Sequence, residues 1–156
     1  MNRRTLRLAP LHLAIALSLG LAAAFAHAQA TPAGLWKTID DAGKKEKSLI
    51  RITESGGVFS GKLEKLLDPA DKADVVCDKC TDERKDKPVV GMTLIKGVKR
   101  SETDKERWDG GDILDPDNGK TYKVRLTPTE GGKRLDVRGY IGAPMFGRTQ
   151  TWIRVE

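Results

Sequence analysis

The sequence predicts an all-β protein, an eight-stranded antiparallel up-and-down barrel. Between residues 121 and 126, Tyr122, Val124 and Leu126 alternate with polar residues, which is the period of two that a half-buried strand shows. The preceding segment, Asp115-Pro-Asp-Asn-Gly119, has the residue types of a hairpin turn, with a proline to fix φ and a glycine to close the loop. Similar apolar segments follow with short connections, which favours an up-and-down barrel over a sandwich with long crossings.

Eight segments carry the strand pattern, and most are separated by turns rich in glycine, aspartate or lysine. The predicted strands cover residues 34–39, 48–53, 58–66, 89–95, 107–114, 121–126, 133–140 and 148–155. Gly61 lies inside the third strand, where a glycine usually marks a bulge or a sharp bend. Residues 67–88 form the one long loop. Residues 142–147 are too rich in glycine for a strand, so we expect them to cross one mouth of the barrel.

The first 28 residues have the pattern of a secretory signal peptide. Three arginines precede an apolar run, and Ala26-His-Ala28 offers a small-x-small cleavage site. The apolar run is short for a membrane span, and no basic stop-transfer flank follows it. We therefore expect a signal peptide at residues 1–28 and a single barrel domain at residues 29–156. The mature chain should have no transmembrane segment and should be periplasmic or secreted.

The mature chain is mildly basic, and its charges are not concentrated in one stretch. Removal of residues 1–28 takes away three arginines and no acidic residue, so the formal net charge falls from +6 to +3. Lysine and arginine are interspersed with aspartate and glutamate, which is typical of a solubilising surface and not of a nucleic-acid binder. We therefore expect no nucleic-acid partner, and the oligomeric state stays open.

Both histidines, His12 and His27, lie in the segment that the predicted cleavage removes. A mature chain without histidine cannot use a Ser-His-Asp or Cys-His nucleophile, a histidine base, or zinc or haem bound by histidine. The acidic residues between positions 104 and 112 are surrounded by basic ones, so we interpret them as a solvated face. The sequence therefore predicts a protein that is not an enzyme and that holds no metal and no cofactor.

Cys77 and Cys80 are the two cysteines of the chain, at the spacing of a redox dithiol or of half a zinc site. No further cysteine or histidine remains in the mature chain to complete a zinc site. A thioredoxin-like motif would open a helix after a parallel strand, whereas this pair lies in a charged loop. In an oxidising compartment we expect a structural disulfide that ties down the loop, with a redox dithiol as the alternative.

Seven motifs of the mature chain together resemble a family of secreted bacterial proteins catalogued as DUF2147. They are Gly34-x-Trp36, Cys77-x-x-Cys80, Trp108-x-Gly-Gly111, Ile113-x-Asp-Pro116, Asn118-Gly-Lys-x-Tyr122, Arg138-Gly-Tyr-Ile-Gly142 and Gly147-Arg-Thr-Gln-x-Trp152-x-Arg154. The resemblance implies an exported calycin, or lipocalin-like, barrel, and it brings no established activity. It also implies the lipocalin arrangement in which Trp36 of the first strand is covered by Arg154 of the last, which closes the barrel structurally.

The aromatic residues of the second half are candidates for a ligand site. Tyr122 shares a face with Val124 and should point inward. Tyr140 points inward only if Gly139 is a bulge that resets the alternation. An arginine at the rim would orient an anionic or polar group of the ligand. The hypothetical ligand site consists of Trp108, Tyr122, Arg138, Tyr140, Phe146 and Arg148.

These observations predict an exported binding protein without catalytic activity, which holds a small, partly apolar or amphipathic molecule in the barrel or at its mouth. The alternative is an envelope protein whose filled barrel acts through its surface on another macromolecule. A cavity lined by the aromatic residues would favour the first function. An exposed apolar patch on a solid barrel would favour the second.

Overall fold

The computed structural model describes residues 30–40, 42–68 and 74–156 and has a closed antiparallel β-barrel. Each strand pairs with its neighbours in sequence, and the first strand also pairs with the last. The strands are β1 Gly34–Ile39, β2 Glu46–Ser55, β3 Val58–Leu66, β4 Thr93–Arg100, β5 Trp108–Asp115, β6 Lys120–Thr129, β7 Arg134–Tyr140 and β8 Arg148–Arg154. This up-and-down order confirms the predicted fold class. The predicted signal peptide lies outside the described residues.

Alternate strand residues fill the barrel interior. In β6, Val124 and Leu126 are fully buried, whereas the neighbouring Lys123 is exposed. Across the β6–β7 ladder, Leu126 pairs with Val137, which is buried too. Because side chains alternate between the two faces of a strand, the inward face of β6 and β7 is mostly apolar and the outward face is mostly polar. The period of two that predicts the strands is therefore also the pattern that builds the core.

The described residues contain two short 3₁₀ turns, Glu130–Gly132 and Pro144–Phe146. Within that part of the chain, no helix has the length and apolar character that a membrane span requires. The second 3₁₀ turn belongs to the connection between β7 and β8. This connection lies at one mouth of the barrel, because Ile141 and Phe146 line the cavity that opens there.

The fourth strand differs from its predicted bounds of residues 89–95. It begins at Thr93, because the chain turns at Gly91, whose φ is +86° and lies outside the β region. The Met92 N–H donates to the Val89 carbonyl at 3.1 Å and closes this turn. The strand then continues to Arg100, and its pairing with β5 skips from Lys96 to Lys99 around Gly97. Gly97, which interrupts the pairing of β4 with β5, thus lies inside β4 and does not end the strand.

The other strand bounds differ from the predicted ones mostly at their ends. The strands β2 and β6 are longer than predicted, at ten residues each, because they continue into the turns. The predicted irregularity at Gly61 is confirmed, since the pairing of β3 with β4 shifts register on both sides of this glycine. The predicted segments thus identify all eight strands, with β4 displaced by about half its length.

One end of the barrel is filled by side chains, and we call it the closed end. Phe59 and Trp108 meet there edge to face, with ring centroids 6.1 Å apart, and Arg100 lies 5.6 Å from the Trp108 ring centroid. Arg154 lies over Trp36 at 4.1 Å, and the Trp36 indole N–H donates to the Pro32 carbonyl at 2.7 Å. Aromatic pairs and planar cations on indoles both add to the energy of burial.

Cys77 and Cys80 form a disulfide, which confirms the predicted covalent link between them. Both residues are almost fully buried. They belong to residues 74–92, which we call the disulfide loop. The Val89 N–H donates to the Val75 carbonyl at 2.9 Å, so the two ends of this loop lie side by side.

The disulfide loop packs on the outer face of β4, β5 and β6. Leu114 pairs with Thr121 and has the opposite parity to the inward-facing Ile113, yet it is buried. Arg84 of the loop donates to the Thr121 hydroxyl at 3.2 Å, which places the loop over this outward face. The loop therefore covers Leu114 from outside the barrel wall, and both belong to one cluster with the buried apolar residues of the barrel.

The loop also sits tightly on the β5–β6 turn. The Lys79 Nζ donates to the Asp117 carbonyl at 2.8 Å. Gly119 of the turn has a φ of +73°, and a Cβ at this position would overlap the Lys79 carbonyl group. This position requires glycine for two reasons, the left-handed backbone and the absence of space.

Candidate ligand-binding cavity

The end of the barrel opposite the closed end contains a cavity of about 1100 Å³ that opens to solvent. We call this end the mouth. Inward-facing, buried apolar side chains from four strands line the cavity, and they are Ile50, Leu63, Val137 and Trp152. The same space extends beneath the disulfide loop, where Leu94 and Leu114 line it from the outward face. Small-molecule sites usually have volumes of roughly 300 to 1,000 Å³, so the cavity has about the volume of such a site, and its lining is polar and apolar in equal parts.

Three of the predicted site residues lie at the mouth, and Tyr122 does so by the expected parity. Tyr122 pairs with the inward Ile113, and Arg148 pairs with Gly139, which in turn pairs with the buried Val124. Tyr122 and Arg148 line the cavity, and Phe146 joins them from the β7–β8 connection. The structure thus brings these three side chains together around one opening.

Tyr140 lines the cavity as well, although the predicted reason for this is wrong. The β6–β7 ladder runs without interruption through Gly139, which pairs with Val124, so no bulge resets the alternation. Tyr140 consequently pairs with Lys123 on the outward parity. It borders the cavity because it is the last residue of β7 and lies at the rim.

The remaining two predicted site residues lie elsewhere. Trp108 has an inward position but belongs to the closed end, where it packs on Phe59, because β5 starts there and reaches the mouth only at its other end. Arg138 lies on the outward parity between Val137 and Gly139. Its guanidinium donates to the Pro144 carbonyl at 2.7 Å and to the Thr149 hydroxyl at 2.8 Å. Arg138 therefore anchors the β7–β8 connection from outside the cavity.

Several polar groups line the cavity that sequence reasoning did not identify. The hydroxyls of Thr38 and Ser48 are buried and share a hydrogen bond of 2.8 Å. The Trp152 indole N–H donates to the Gln150 Oε1 at 3.4 Å, which presents a polar edge beside an apolar floor. Strand parity could have identified these residues, since Thr38 follows the inward Trp36 by two and Gln150 precedes Trp152 by two.

A hydrogen-bonded group from the β5–β6 turn borders the mouth. The Asn118 Nδ2 donates to the Asp115 Oδ2 at 2.8 Å and to the Tyr122 hydroxyl at 3.1 Å. The Asp117 N–H donates to the other Asp115 oxygen at 2.9 Å. Burial raises the pKa of the Asp115 carboxyl, and the N–H groups of the turn oppose this shift. Tyr122 is therefore held in place by the same turn on which the disulfide loop rests.

The rim also presents apolar side chains to solvent. Ile141, Met145 and Phe146 are 66%, 75% and 80% exposed, and all three belong to the β7–β8 connection. Exposed large apolar residues that cluster beside a cavity are typical of binding surfaces. Among residues 30–40, 42–68 and 74–156, no group of three or more cysteine, aspartate or glutamate side chains is arranged to hold a metal ion.

A closed eight-stranded antiparallel barrel with a filled end and an open cavity is a lipocalin-like barrel. A solved structure supports this class: protein HP1028 from the human pathogen Helicobacter pylori, which is described as belonging to the lipocalin family. It matches with a TM-score of 0.66 and 22% sequence identity, over 81% of this chain and 84% of that one. The chain belongs to the family described as "Uncharacterized protein conserved in bacteria (DUF2147)", whose model matches residues 34–154. No curated protein matches the chain significantly.

Proposed function

We propose that this protein is an exported, non-enzymatic binding protein that holds a small, partly apolar molecule in the barrel, with one end of the molecule at the mouth. The observation that carries the proposal is the cavity of about 1100 Å³ with its floor of Ile50, Val137 and Trp152. An apolar floor favours an apolar group of the ligand through the hydrophobic effect, and the few polar groups at the rim favour one orientation.

Export is supported by the disulfide together with the signal-like first 28 residues. The absence of histidine after residue 28 supports a function without acid-base catalysis at neutral pH. Native mass spectrometry of the protein purified from its own host tests both proposals. We expect a mass that begins after Ala28 and contains the disulfide, accompanied by a species that carries a bound small molecule.

Binding can be tested without knowledge of the natural ligand. N-phenyl-1-naphthylamine is an uncharged apolar dye whose fluorescence rises in an apolar environment, so we expect saturable fluorescence with the mature protein. A variant that fills the cavity should abolish this signal. Gly139→Leu is suitable, because a Cβ there would lie at ordinary contact distance from Tyr122, at 3.7 Å, and the rest of the side chain would enter the cavity.

The matched control is Thr127→Leu, which adds an apolar side chain on the outward parity next to the buried Leu126. We expect this variant to bind the dye like the wild type. Saturable binding that Gly139→Leu does not weaken would place the dye outside the barrel. It would then favour the alternative function, in which the exposed Ile141, Met145 and Phe146 contact another macromolecule.

A further inference from the structure

We propose that the ligand of this barrel is an anionic amphiphile, whose apolar chain lies in the cavity and whose anionic head lies in a gap between β1 and β8. This inference rests on the proposed function, and it adds the chemical class of the ligand and the location of its head.

The gap exists because β1 and β8 pair only near the closed end. Their register pairs Trp36 with Arg154 and Lys37 with Ile153, and no further pair joins them among the described residues. Towards the mouth the two strands border a second space of about 450 Å³. The residues that line both this space and the cavity are Ile39, Asp40, Arg148 and Gln150. The cavity and the gap therefore adjoin at these four residues.

Among the described residues that line the gap, basic side chains outnumber acidic ones. Arg134 and Arg148 are the basic residues of this set, and Asp40 is the acidic one. The Asp40 Oδ1 accepts the backbone N–H groups of Lys44 and Lys45 at 2.7 and 3.1 Å. These bonds lower the pKa of Asp40, because the two N–H groups of the following turn stabilise its ionised carboxylate. An anionic head in the gap would lie in a space lined by two arginines and by a carboxylate that already accepts two backbone N–H groups.

The edge of β8 supplies further donors. The Val155 N–H donates to the Leu35 carbonyl of β1 at 2.8 Å, which fixes the direction of that N–H towards β1. Backbone groups of an antiparallel strand alternate in direction, so the N–H and C=O groups of Thr151 and Thr149 also point to the β1 side. There they border the gap. Backbone N–H groups beside arginine side chains are typical of anion sites.

Arg134 forms an ion pair with Glu130 at 3.0 Å, in which the two side chains are 48% and 59% exposed. Because water and salt screen such a pair, a ligand anion can compete for Arg134 at little cost. Arg148 lies at the rim on an inward register position, between the gap and the apolar floor. A molecule that contacts both regions must carry a charged head next to an apolar chain.

Displacement of N-phenyl-1-naphthylamine from the mature protein tests the inference. The competitors are dodecanoate, 1-dodecanol and dodecyltrimethylammonium, each below its micelle concentration, and they share one chain length but differ in head charge. Acetate carries the head without the chain. We expect dodecanoate to displace the dye at about a tenfold lower concentration than 1-dodecanol, because the head gains charge-assisted hydrogen bonds. The cationic competitor should be weakest, and acetate should not displace the dye.

Two variants locate the head. Arg148→Gln should raise the dodecanoate concentration needed for displacement to that of 1-dodecanol, and Arg148→Lys should restore part of the difference. Arg134→Gln should weaken dodecanoate and leave 1-dodecanol unchanged, because Arg134 lines the gap and not the cavity. The matched control is Lys99→Gln, which removes one exposed positive charge on the β4 side of the barrel and should change neither competitor.

The outcomes separate the two proposals. If the dye binds and all three long-chain competitors displace it equally, the barrel binds apolar molecules and the anionic head is refuted. If dodecanoate is preferred but neither arginine variant changes this, the head lies outside the gap and the location is wrong. If acetate alone competes, the site recognises a free anion and not an amphiphile. If the dye does not bind at all, the proposed function itself fails.

Discussion

The guanidinium of Arg154 lies over the indole of Trp36, with 4.1 Å between its Cζ and the ring centroid. The same guanidinium donates to the carbonyls of Ala33 and Thr31, both at 2.8 Å, and to that of Gly132. Trp36 is fully buried. One side chain of β8 thus joins β1, the segment before it and the β6–β7 turn at the closed end.

We expect Arg154→Ala to lower the free energy of unfolding by about 2 to 4 kcal/mol, since it removes a partly desolvated cation–π contact and leaves backbone carbonyls without a donor. The β content in far-UV circular dichroism should not change. Denaturant unfolding gives the measurement. Arg51→Ala is the control, because its ion pairs with Glu64 and Glu156 are exposed and should contribute less than the contacts of Arg154. Equal effects of the two substitutions would contradict the role of Arg154 in closure.

Gly119→Ala should destabilise the protein and release the disulfide loop. Its positive φ alone costs about 1 to 2 kcal/mol for alanine. The new methyl group must also displace the Lys79 backbone, which should add about 1 to 3 kcal/mol. Gly56→Ala is the matched control, because its φ is also positive and no atom lies within 4 Å of the added Cβ. Hydrogen exchange in residues 74–92 should increase only in Gly119→Ala.

The disulfide should stabilise the loop without redox activity. Thiol titration of the unreduced, denatured protein should find no free thiol, since Cys77 and Cys80 are joined. The ring that they close is short, so the unfolded-state entropy it removes is small, and we expect the double variant Cys77→Ala/Cys80→Ala to keep the barrel. Hydrogen exchange should increase in residues 74–92 and stay slow in β6. Turnover in an insulin-reduction assay would refute the structural role.

The pH dependence of stability should show a contribution from Asp115. Burial raises the pKa of its carboxyl, so the folded protein binds this proton more tightly than the unfolded chain. The contribution of Asp115 to stability is therefore greatest at low pH and falls as the pH rises through its titration range. As the pH rises from below the ordinary aspartate pKa of about 4, wild type should lose stability relative to Asp115→Asn. Asp117→Asn, an exposed neighbour in the same turn, tests whether the trend belongs to Asp115.

The alternation of apolar and polar residues within each segment was sufficient to predict the barrel, because it shows which residues of that strand face inward. The parity of Tyr122 and Arg148 follows from this pattern. The position of a residue along the barrel axis does not, which is why Trp108 has inward parity but lies at the closed end. The error at Tyr140 has another cause, since the glycine before it is accommodated in an unbroken ladder.

The gap between β1 and β8 could not be predicted from the sequence. It depends on where two strands at opposite ends of the chain stop pairing, and no residue type marks that point. The packing of the disulfide loop also depends on contacts between residues that are far apart in the sequence. Leu114 has the outward parity of a solvent-facing residue, and its apolar character is explained only when the loop that covers it is in place.

The fit between Gly119 and Lys79 links two positions that are forty residues apart in the chain. A homologue that keeps the cysteine loop in this place needs glycine at position 119, because any Cβ would overlap the loop backbone. A homologue without the loop needs only a residue that tolerates a left-handed conformation, for which asparagine or aspartate is sufficient. The cysteine pair and this glycine should therefore covary among relatives, and loss of the first should precede replacement of the second.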